Sequence, residues 1–141
     1  MLSLGMDIGT STVKLVLLKN QEIEKQWMAV HHGTPFVCLK KGLSALELDA
    51  DTPFSLCVTG SNTEALLEQD SAIPSLGDIP AIVEGVRWII PQVGSVIEIG
   101  SQGARFITDL QSRAPQFSVN EHCAGGTGSF FEDQIDRKSV V

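Results

Sequence analysis

Near the N-terminus the chain reads Leu4-Gly5-Met6-Asp7-Ile8-Gly9-Thr10-Ser11-Thr12-Val13-Lys14-Leu15-Val16-Leu17-Leu18. Two apolar runs flank a turn of glycine and hydroxyl residues, which is the pattern of a β-hairpin. Gly9 permits a positive φ in this turn, and the hydroxyl and N–H groups of residues 10–12 can face a phosphate. Asp7, at the end of the first strand, can hold Mg²⁺ or its waters, because hard cations take oxygen ligands.

The same order of features returns in the stretch Gly94-Ser95-Val96-Ile97-Glu98-Ile99-Gly100-Ser101-Gln102-Gly103-Ala104-Arg105-Phe106-Ile107-Thr108. An acid precedes a glycine by two positions in both stretches, as Asp7 precedes Gly9 and Glu98 precedes Gly100. The shared order indicates an internal duplication of one phosphate-binding hairpin. From the residues alone, each turn could also be a plain one whose polar side chains bond to nearby backbone.

A third motif reads Asn120-Glu121-His122-Cys123-Ala124-Gly125-Gly126-Thr127-Gly128-Ser129-Phe130-Phe131-Glu132. Glycines let the backbone approach a bulky partner closely, and a helix start favours negative charge through its free N–H groups. The stretch therefore offers a sulfur ligand beside an anion-binding turn. A glycine-rich turn next to a buried, inert cysteine accounts for the same residues.

The composition favours a globular chain and excludes several classes of partner. Of the 141 residues, 43% are hydrophobic and 19% are charged, which is unlike a disordered chain. The net charge of -7 argues against broad binding to nucleic acid or to anionic lipid. We expect no membrane span, because no apolar run reaches about 18 residues, and no secretion signal, because the N-terminus lacks a basic segment followed by a long apolar one. Three cysteines are an odd number, which favours reduced thiols in the cytoplasm.

The periodicity predicts two series of elements that begin alike, β-β-β-α-β-α-α and then β-β-β-α. This order predicts an α/β fold with a ribonuclease-H-like domain over residues 1–92 and the first part of a second such domain over residues 93–141. The second series stops after one helix, so we expect the chain to be part of a longer protein. The predicted strands cover about 2–8, 12–18, 23–30, 53–58, 94–100, 103–109 and 116–119, and the predicted helices about 36–48, 61–67, 80–90 and 128–137.

Single residues of the first series carry further expectations. Cys57 is expected to be a small core residue of the fourth strand. Trp27, Met28 and Val30 of the third strand are expected to pack rather than to form a recognition surface. The dipeptide Thr59-Gly60 follows a strand, where it could line a ligand cleft or form a plain strand-to-helix turn.

With these motifs placed, the chain resembles the ATP-dependent activators of 2-hydroxyacyl-CoA dehydratases and benzoyl-CoA reductases. These belong to the superfamily of actin, Hsp70 and sugar kinases, and the chain is similar in particular to the activator-like N-terminal part of large fused proteins. The first phosphate motif of the family is matched by residues 7–12 and Lys14. The second is matched by Gly100 and Gln102, whereas Ser101 and Gly103 depart from it. The loss of a carboxylate at position 103 puts hydrolysis in doubt.

The resemblance implies an electron donor powered by ATP and magnesium, acting on a dehydratase or reductase component. Such activators are homodimers that share one [4Fe-4S] cluster, which cysteine thiolates ligate. The resemblance assigns catalytic roles to Asp7 and Gln102, magnesium to Asp7, and an iron–sulfur ligand to Cys123. It assigns nucleotide contacts to Gly9, Thr10, Ser11, Thr12, Lys14, Glu98, Gly100, Ser101, Gly126, Thr127 and Gly128.

Two other functions fit the same fold. A small-molecule kinase such as a sugar kinase would need a catalytic aspartate near the second hairpin, where Asp109 follows the strand and Gly103 replaces the family carboxylate. A non-catalytic module of a larger enzyme would tolerate the altered second motif. We expect the 141-residue chain by itself to have neither a stable cluster nor appreciable ATPase activity.

Overall fold

In a computed structural model of the chain, the structure describes residues 1–49, 51–101 and 103–120, the last of them without its side chain. Contacts between residues divide the chain into two compact units, Met1–Asp78 and a second that begins at Ile79. The subdomain boundary expected after residue 92 stays a prediction.

The first unit contains a four-stranded sheet in the order β3-β2-β1-β4. The strands are β1 (Leu2–Ile8), β2 (Thr12–Lys19), β3 (Glu22–Val30) and β4 (Phe54–Thr59). The first three form an antiparallel meander, and β4 pairs with β1 in parallel. Residues 74–76 run along the outer edge of β4, where Val58 N donates to Pro74 O and Leu76 N donates to Val58 O, both at 2.9 Å.

Two helices complete the first unit: α1 (Pro35–Ala45) and the single turn α2 (Glu64–Leu67). Pro35 suits the first turn of α1, because its missing N–H has no partner there in any helix. Alternate residues of the strands bury one face of the sheet together with α1. The members of this core are Leu4, Met6, Ile8, Val13, Leu15, Leu17, Cys38, Leu39, Leu46 and Val58.

Some expectations for this sheet were wrong. Cys57 is exposed, because it lies across from Gly5 on the face opposite to the core, while its neighbour Val58 is buried. Met28 and Val30 are 65% and 54% exposed. Trp27 is half-buried and packs against the core as expected. Successive residues of a strand point to opposite faces, so an apolar strand need not bury all of its residues.

The second unit packs one helix against a three-stranded antiparallel meander. Its elements are α3 (Asp78–Ile89), β5 (Val96–Ile99), β6 (Ala104–Thr108) and β7 (Gln116–Asn120), with the strand order β5-β6-β7. Its core is formed by Val83 of α3 with Ile107 and Leu110. The helix predicted over 128–137 lies outside the described residues. Among the described helices, none has the length and apolar character that crossing a membrane requires.

Candidate phosphate-binding site

The first hairpin forms a tight turn flanked by a pair of opposite charges. Gly9 N donates to Thr12 O at 3.0 Å, which closes the turn between β1 and β2. Asp7 and Lys14 are direct cross-strand partners, and Lys14 Nζ donates to Asp7 Oδ2 at 2.7 Å. Their side chains are 34% and 46% exposed, so both remain accessible to a ligand.

Limited space, and not an unusual backbone conformation, favours glycine at position 9. The expected positive φ is absent at Gly9, and the described glycines that adopt one are Gly33 and Gly60. A Cβ at position 9 would lie 3.3 Å from Thr12 O and 3.4 Å from Asp7 Oδ1. A side chain at position 9 would therefore be in close contact with the carboxylate of Asp7 and the carbonyl oxygen of Thr12.

The loops that follow β3 and β4 meet at this turn. Gly9 O accepts a hydrogen bond from Asn62 Nδ2 at 2.6 Å and lies 3.2 Å from His31 Nε2. Thr10 Oγ1 and Ser61 Oγ are hydrogen-bonded at 2.9 Å, and Asn62 N donates to Ile8 O at 2.9 Å. Three segments far apart in sequence therefore converge at one end of the sheet.

Gly60 packs closely against the end of β1 and the carboxylate of Asp7. Its φ is +104°, and a Cβ there would lie 2.5 Å from the carbonyl carbon and oxygen of Ile8 and 2.7 Å from Asp7 Oδ1. Gly60 N donates to Asp78 Oδ1 at 3.2 Å, and Thr59 Oγ1 lies 3.4 Å from the same oxygen. The dipeptide Thr59-Gly60, whose role the sequence left open, thus belongs to the surroundings of Asp7.

The second hairpin repeats the arrangement of the first. Gly100 N donates to Gly103 O at 2.8 Å. Glu98 and Arg105 are cross-strand partners, and Arg105 Nη1 lies 2.7 Å from Glu98 Oε2, with each side chain 29% exposed. A Cβ at Gly100 would lie 3.0 Å from Glu98 Oε1. Turn closure, cross-strand ion pair and tight contact of the glycine with the acid all recur in the positions that the sequence motif indicates.

The carboxylates suit a hard cation that keeps most of its waters. Asp7 Oδ1 accepts no hydrogen bond from the residues that the structure describes, so one oxygen remains for an ion or its water. Within those same residues, no group of three or more histidine, cysteine or acidic side chains is clustered as a metal site.

Several predicted site residues cannot be compared with the structure. Gln102, Cys123, Gly126, Thr127 and Gly128 lie outside the described residues. Ser101 is half-buried and lies in the second turn, between β5 and β6.

Sequence reasoning missed His31 and Asn62. His31 is buried, with 7% of its surface exposed, in the loop between β3 and α1. Neither residue forms a local pattern with the turn, since 22 and 53 positions separate them from Gly9. Only the strand order, which places the ends of β3 and β4 beside that turn, could have indicated them.

Comparison with known proteins finds relatives along nearly the entire chain. The chain is 31% identical over 137 residues to the 2-hydroxyisocaproyl-CoA dehydratase activator of Clostridioides difficile, covering 94% of this chain and 50% of the relative. It is 29% identical over 137 residues to the activator of lactoyl-CoA dehydratase of Anaerotignum propionicum, covering 94% of this chain and 52% of that protein. The chain thus spans about half the length of these relatives.

Solved structures agree with the sequence relatives. The activator of the 2-hydroxyisocaproyl-CoA dehydratase from Clostridium difficile, with bound ADPNP, matches with a TM-score of 0.78 at 27% identity, covering 100% of this chain and 53% of that chain. No protein-family model matches the chain. The predicted α/β fold of the actin-like ATPases is confirmed. The chain is thus related by sequence to the activators of 2-hydroxyacyl-CoA dehydratases, and it shares their actin-like ATPase fold.

Proposed function

We propose that the chain binds Mg-ATP as the phosphate-binding part of an ATP-dependent activator of a 2-hydroxyacyl-CoA dehydratase or a related reductase. The observation that carries this proposal is the repeated hairpin, in which Asp7 with Lys14 and Glu98 with Arg105 hold the same cross-strand register. The bound ADPNP in the related activator supports a nucleotide as the ligand.

The first turn supplies the groups that an anion needs. Among the described residues, the backbone N–H groups of Thr10 and Ser11 donate to no protein atom. Such successive free N–H groups attract phosphate oxygens. Lys14 adds a positive charge within reach of the same turn, and Asp7 holds Mg²⁺ or its waters. We further expect Gly100 and Ser101 of the second turn to contact the nucleotide.

The finer parts of the proposal concern the complete activator. There Gln102 takes part in hydrolysis, Gly126, Thr127 and Gly128 contact the nucleotide, and Cys123 ligates a [4Fe-4S] cluster shared by a homodimer. A bound cluster of this kind supplies a low-potential electron to the dehydratase or reductase partner. Cys38 is unsuited to that role, because it is buried with its Sγ 3.8 Å from Ala29 O. The free thiols of Cys38 and Cys57 support a reducing, cytoplasmic location.

Backbone amide NMR of the chain during a titration with Mg-ADPNP or Mg-triphosphate tests the binding step. We expect the amide signals of Gly9, Thr10 and Ser11 to shift with one common dissociation constant. The amides of Gly42 and Gly85, which lie in helices, serve as internal references and should stay in place. Because the proposed contacts are made to phosphates, inorganic triphosphate and ADPNP should bind this chain within about tenfold of each other, a difference of about 1.4 kcal/mol.

The outcomes separate the candidate functions. Shifts that are absent at millimolar ligand, or that occur away from both turns, would overturn nucleotide binding and favour the non-catalytic module. ATP consumption that rises when sugars are added would favour a kinase. For the activator we expect the isolated chain to release little phosphate from ATP and to hold fewer than the roughly four irons of one cluster per dimer.

A further inference from the structure

We propose that His31 and Asn62 are positioning residues that fix the peptide between Gly9 and Thr10 in the orientation that binds phosphate. This inference rests on the proposed function, because it names the residues that prepare the first turn for its ligand. Both side chains contact the turn through one atom, the carbonyl oxygen of Gly9, at 2.6 Å from Asn62 Nδ2 and 3.2 Å from His31 Nε2.

The hydrogen bonds of His31 determine where its ring carries a proton. Gly33 N lies 3.1 Å from His31 Nδ1, and a backbone N–H can only donate, so Nδ1 accepts. Gly9 O can only accept, so Nε2 must carry the hydrogen. The ring is therefore the neutral Nε2–H tautomer, and both of its nitrogens are satisfied inside the protein.

The backbone of His31 holds the same turn. His31 N donates to Ser11 O at 3.0 Å, and His31 O accepts from Thr34 N and Thr34 Oγ1, each at 2.9 Å. Asn62 is held in turn by its own N–H, which donates to Ile8 O. The two donors that face Gly9 O are thus anchored by further contacts, and Gly9 O accepts from two sides at once.

The consequence for phosphate binding follows from the planar trans peptide. The C=O of Gly9 and the N–H of Thr10 point in opposite directions. Holding the oxygen toward His31 and Asn62 therefore keeps the Thr10 N–H turned away from them, free of any partner among the described residues. A flipped peptide would present a carbonyl oxygen to the phosphate and would leave the donors of buried His31 and half-buried Asn62 without an acceptor.

A set of variants separates this role from general stability. His31→Leu and Asn62→Ala each remove one donor, and each should weaken the binding of Mg-triphosphate about tenfold. His31→Gln retains an N–H donor on a flexible chain and should bind within about threefold of the wild type. Leu39→Ala serves as the control, because it removes buried core contacts of the same unit without touching the turn. Under conditions in which the Leu39→Ala variant is fully folded, its affinity for Mg-triphosphate should equal that of the wild type.

Two measurements report on the positioning role and not on stability. They are the ring ¹⁵N chemical shifts of His31 and the change in the Thr10 amide signal on addition of Mg-triphosphate. We expect the Nε2–H tautomer, and a Thr10 amide shift that is reduced in His31→Leu and restored in His31→Gln. A wild type that shows no binding would refute the proposed function. A wild type that binds, together with a fully folded His31→Leu that binds equally well, would overturn only this inference, as would a His31 ring protonated on Nδ1.

Discussion

Lys14 lies directly across the first hairpin from Asp7, and its Nζ donates to Asp7 Oδ2 at 2.7 Å. Arg105 holds the same position relative to Glu98 in the second hairpin. Each acid therefore carries its own counter-ion in the absence of ligand. When a phosphate binds together with Mg²⁺, the phosphate can pair with Lys14 while the metal pairs with Asp7. Both side chains then keep a partner of opposite charge.

Replacing Lys14 with alanine should weaken phosphate binding with little effect on stability. An exposed ion pair contributes about 0–1 kcal/mol to folding, whereas the loss of a cation beside a polyanion should lower the affinity for triphosphate about 3- to 30-fold, or about 0.7–2 kcal/mol. Isothermal titration calorimetry and urea unfolding measure the two effects. Lys19→Ala is the matched control, because Lys19 lies on the same strand and pairs with Glu24 at 3.6 Å. Equal losses in both variants would contradict a local role for Lys14.

Replacing Asp7 with asparagine should reduce the effect of magnesium on triphosphate binding. The amide cannot balance Mg²⁺, so the gain in triphosphate affinity that Mg²⁺ brings should shrink by about tenfold or more. Without Mg²⁺ the variant should bind triphosphate more tightly than the wild type, because Lys14 has lost its competing partner. Titrations with and without Mg²⁺ measure both changes. Glu24→Gln, which removes the acid of a pair elsewhere in the unit, should alter neither, and an unchanged magnesium effect in Asp7→Asn would exclude Asp7 as the metal ligand.

Gly60→Ala should destabilise the first unit strongly. The new Cβ would meet the backbone of Ile8 at 2.5 Å, and φ at this position is +104°, so crowding and backbone strain add to about 2–5 kcal/mol. Gly33→Ala provides the comparison, because φ there is +81° but nothing lies within 4 Å of the Cβ, which leaves about 1–2 kcal/mol of strain. Urea unfolding followed by Trp27 fluorescence in a Trp88→Phe background measures both. If the two variants are equally stable, contact with Ile8 is not what requires glycine at position 60.

The two described thiols should differ in reactivity. Cys57 is exposed on the face of the sheet opposite to the core, whereas Cys38 lies on the buried side of α1, within the core. Alkylation of native protein, followed by peptide mass spectrometry, should modify Cys57 at least about a hundredfold faster, because Cys38 reacts only after local or global opening. In concentrated urea the two rates should converge. Comparable rates under native conditions would contradict the exposed position of Cys57.

Much of this architecture could be predicted because its signals are local. Alternating apolar residues on both sides of Gly9 and Gly100 specify the hairpins, and the bounds of β1 and β2 agree with those expected to within one residue. The position of Cys57 could not be predicted, because which face α1 covers depends on how the strands are ordered. A short apolar strand at the edge of a sheet has the same sequence pattern whether one of its faces or both are buried.

The contacts around Gly9 show the same limit at the candidate site. The acid, the glycine and the lysine are close in sequence, so their motif is recognisable. His31 and Asn62 reach the turn only through the strand order β3-β2-β1-β4, and a histidine or asparagine in a loop carries no pattern of its own. At Gly9 the expected positive φ is not found, and the structure shows instead a close approach to Asp7 and Thr12.

Two helical glycines should respond to alanine in opposite directions. Alanine in a helix interior is more favourable than glycine by about 0.5–1 kcal/mol, because glycine loses more backbone freedom on folding. At Gly85 of α3 a Cβ meets nothing within 4 Å, so Gly85→Ala should stabilise the second unit by about that amount. At Gly42 of α1 a Cβ would lie 2.5 Å from Trp27 Cε3 and 2.7 Å from Leu15 Cδ1.

The ring of Trp27 packs directly on the helix at Gly42, so α1 would have to move away from the sheet to admit a methyl group. Overpacking of this kind costs about 1–3 kcal/mol, more than the gain in helix propensity. Gly42→Ala should therefore lower the free energy of unfolding of the first unit and change the fluorescence of Trp27 in a Trp88→Phe background. Gly85→Ala, followed through Trp88 in a Trp27→Phe background, should raise the urea midpoint of the second unit. If both substitutions stabilise, α1 does not pack on Trp27 as closely as the structure has it.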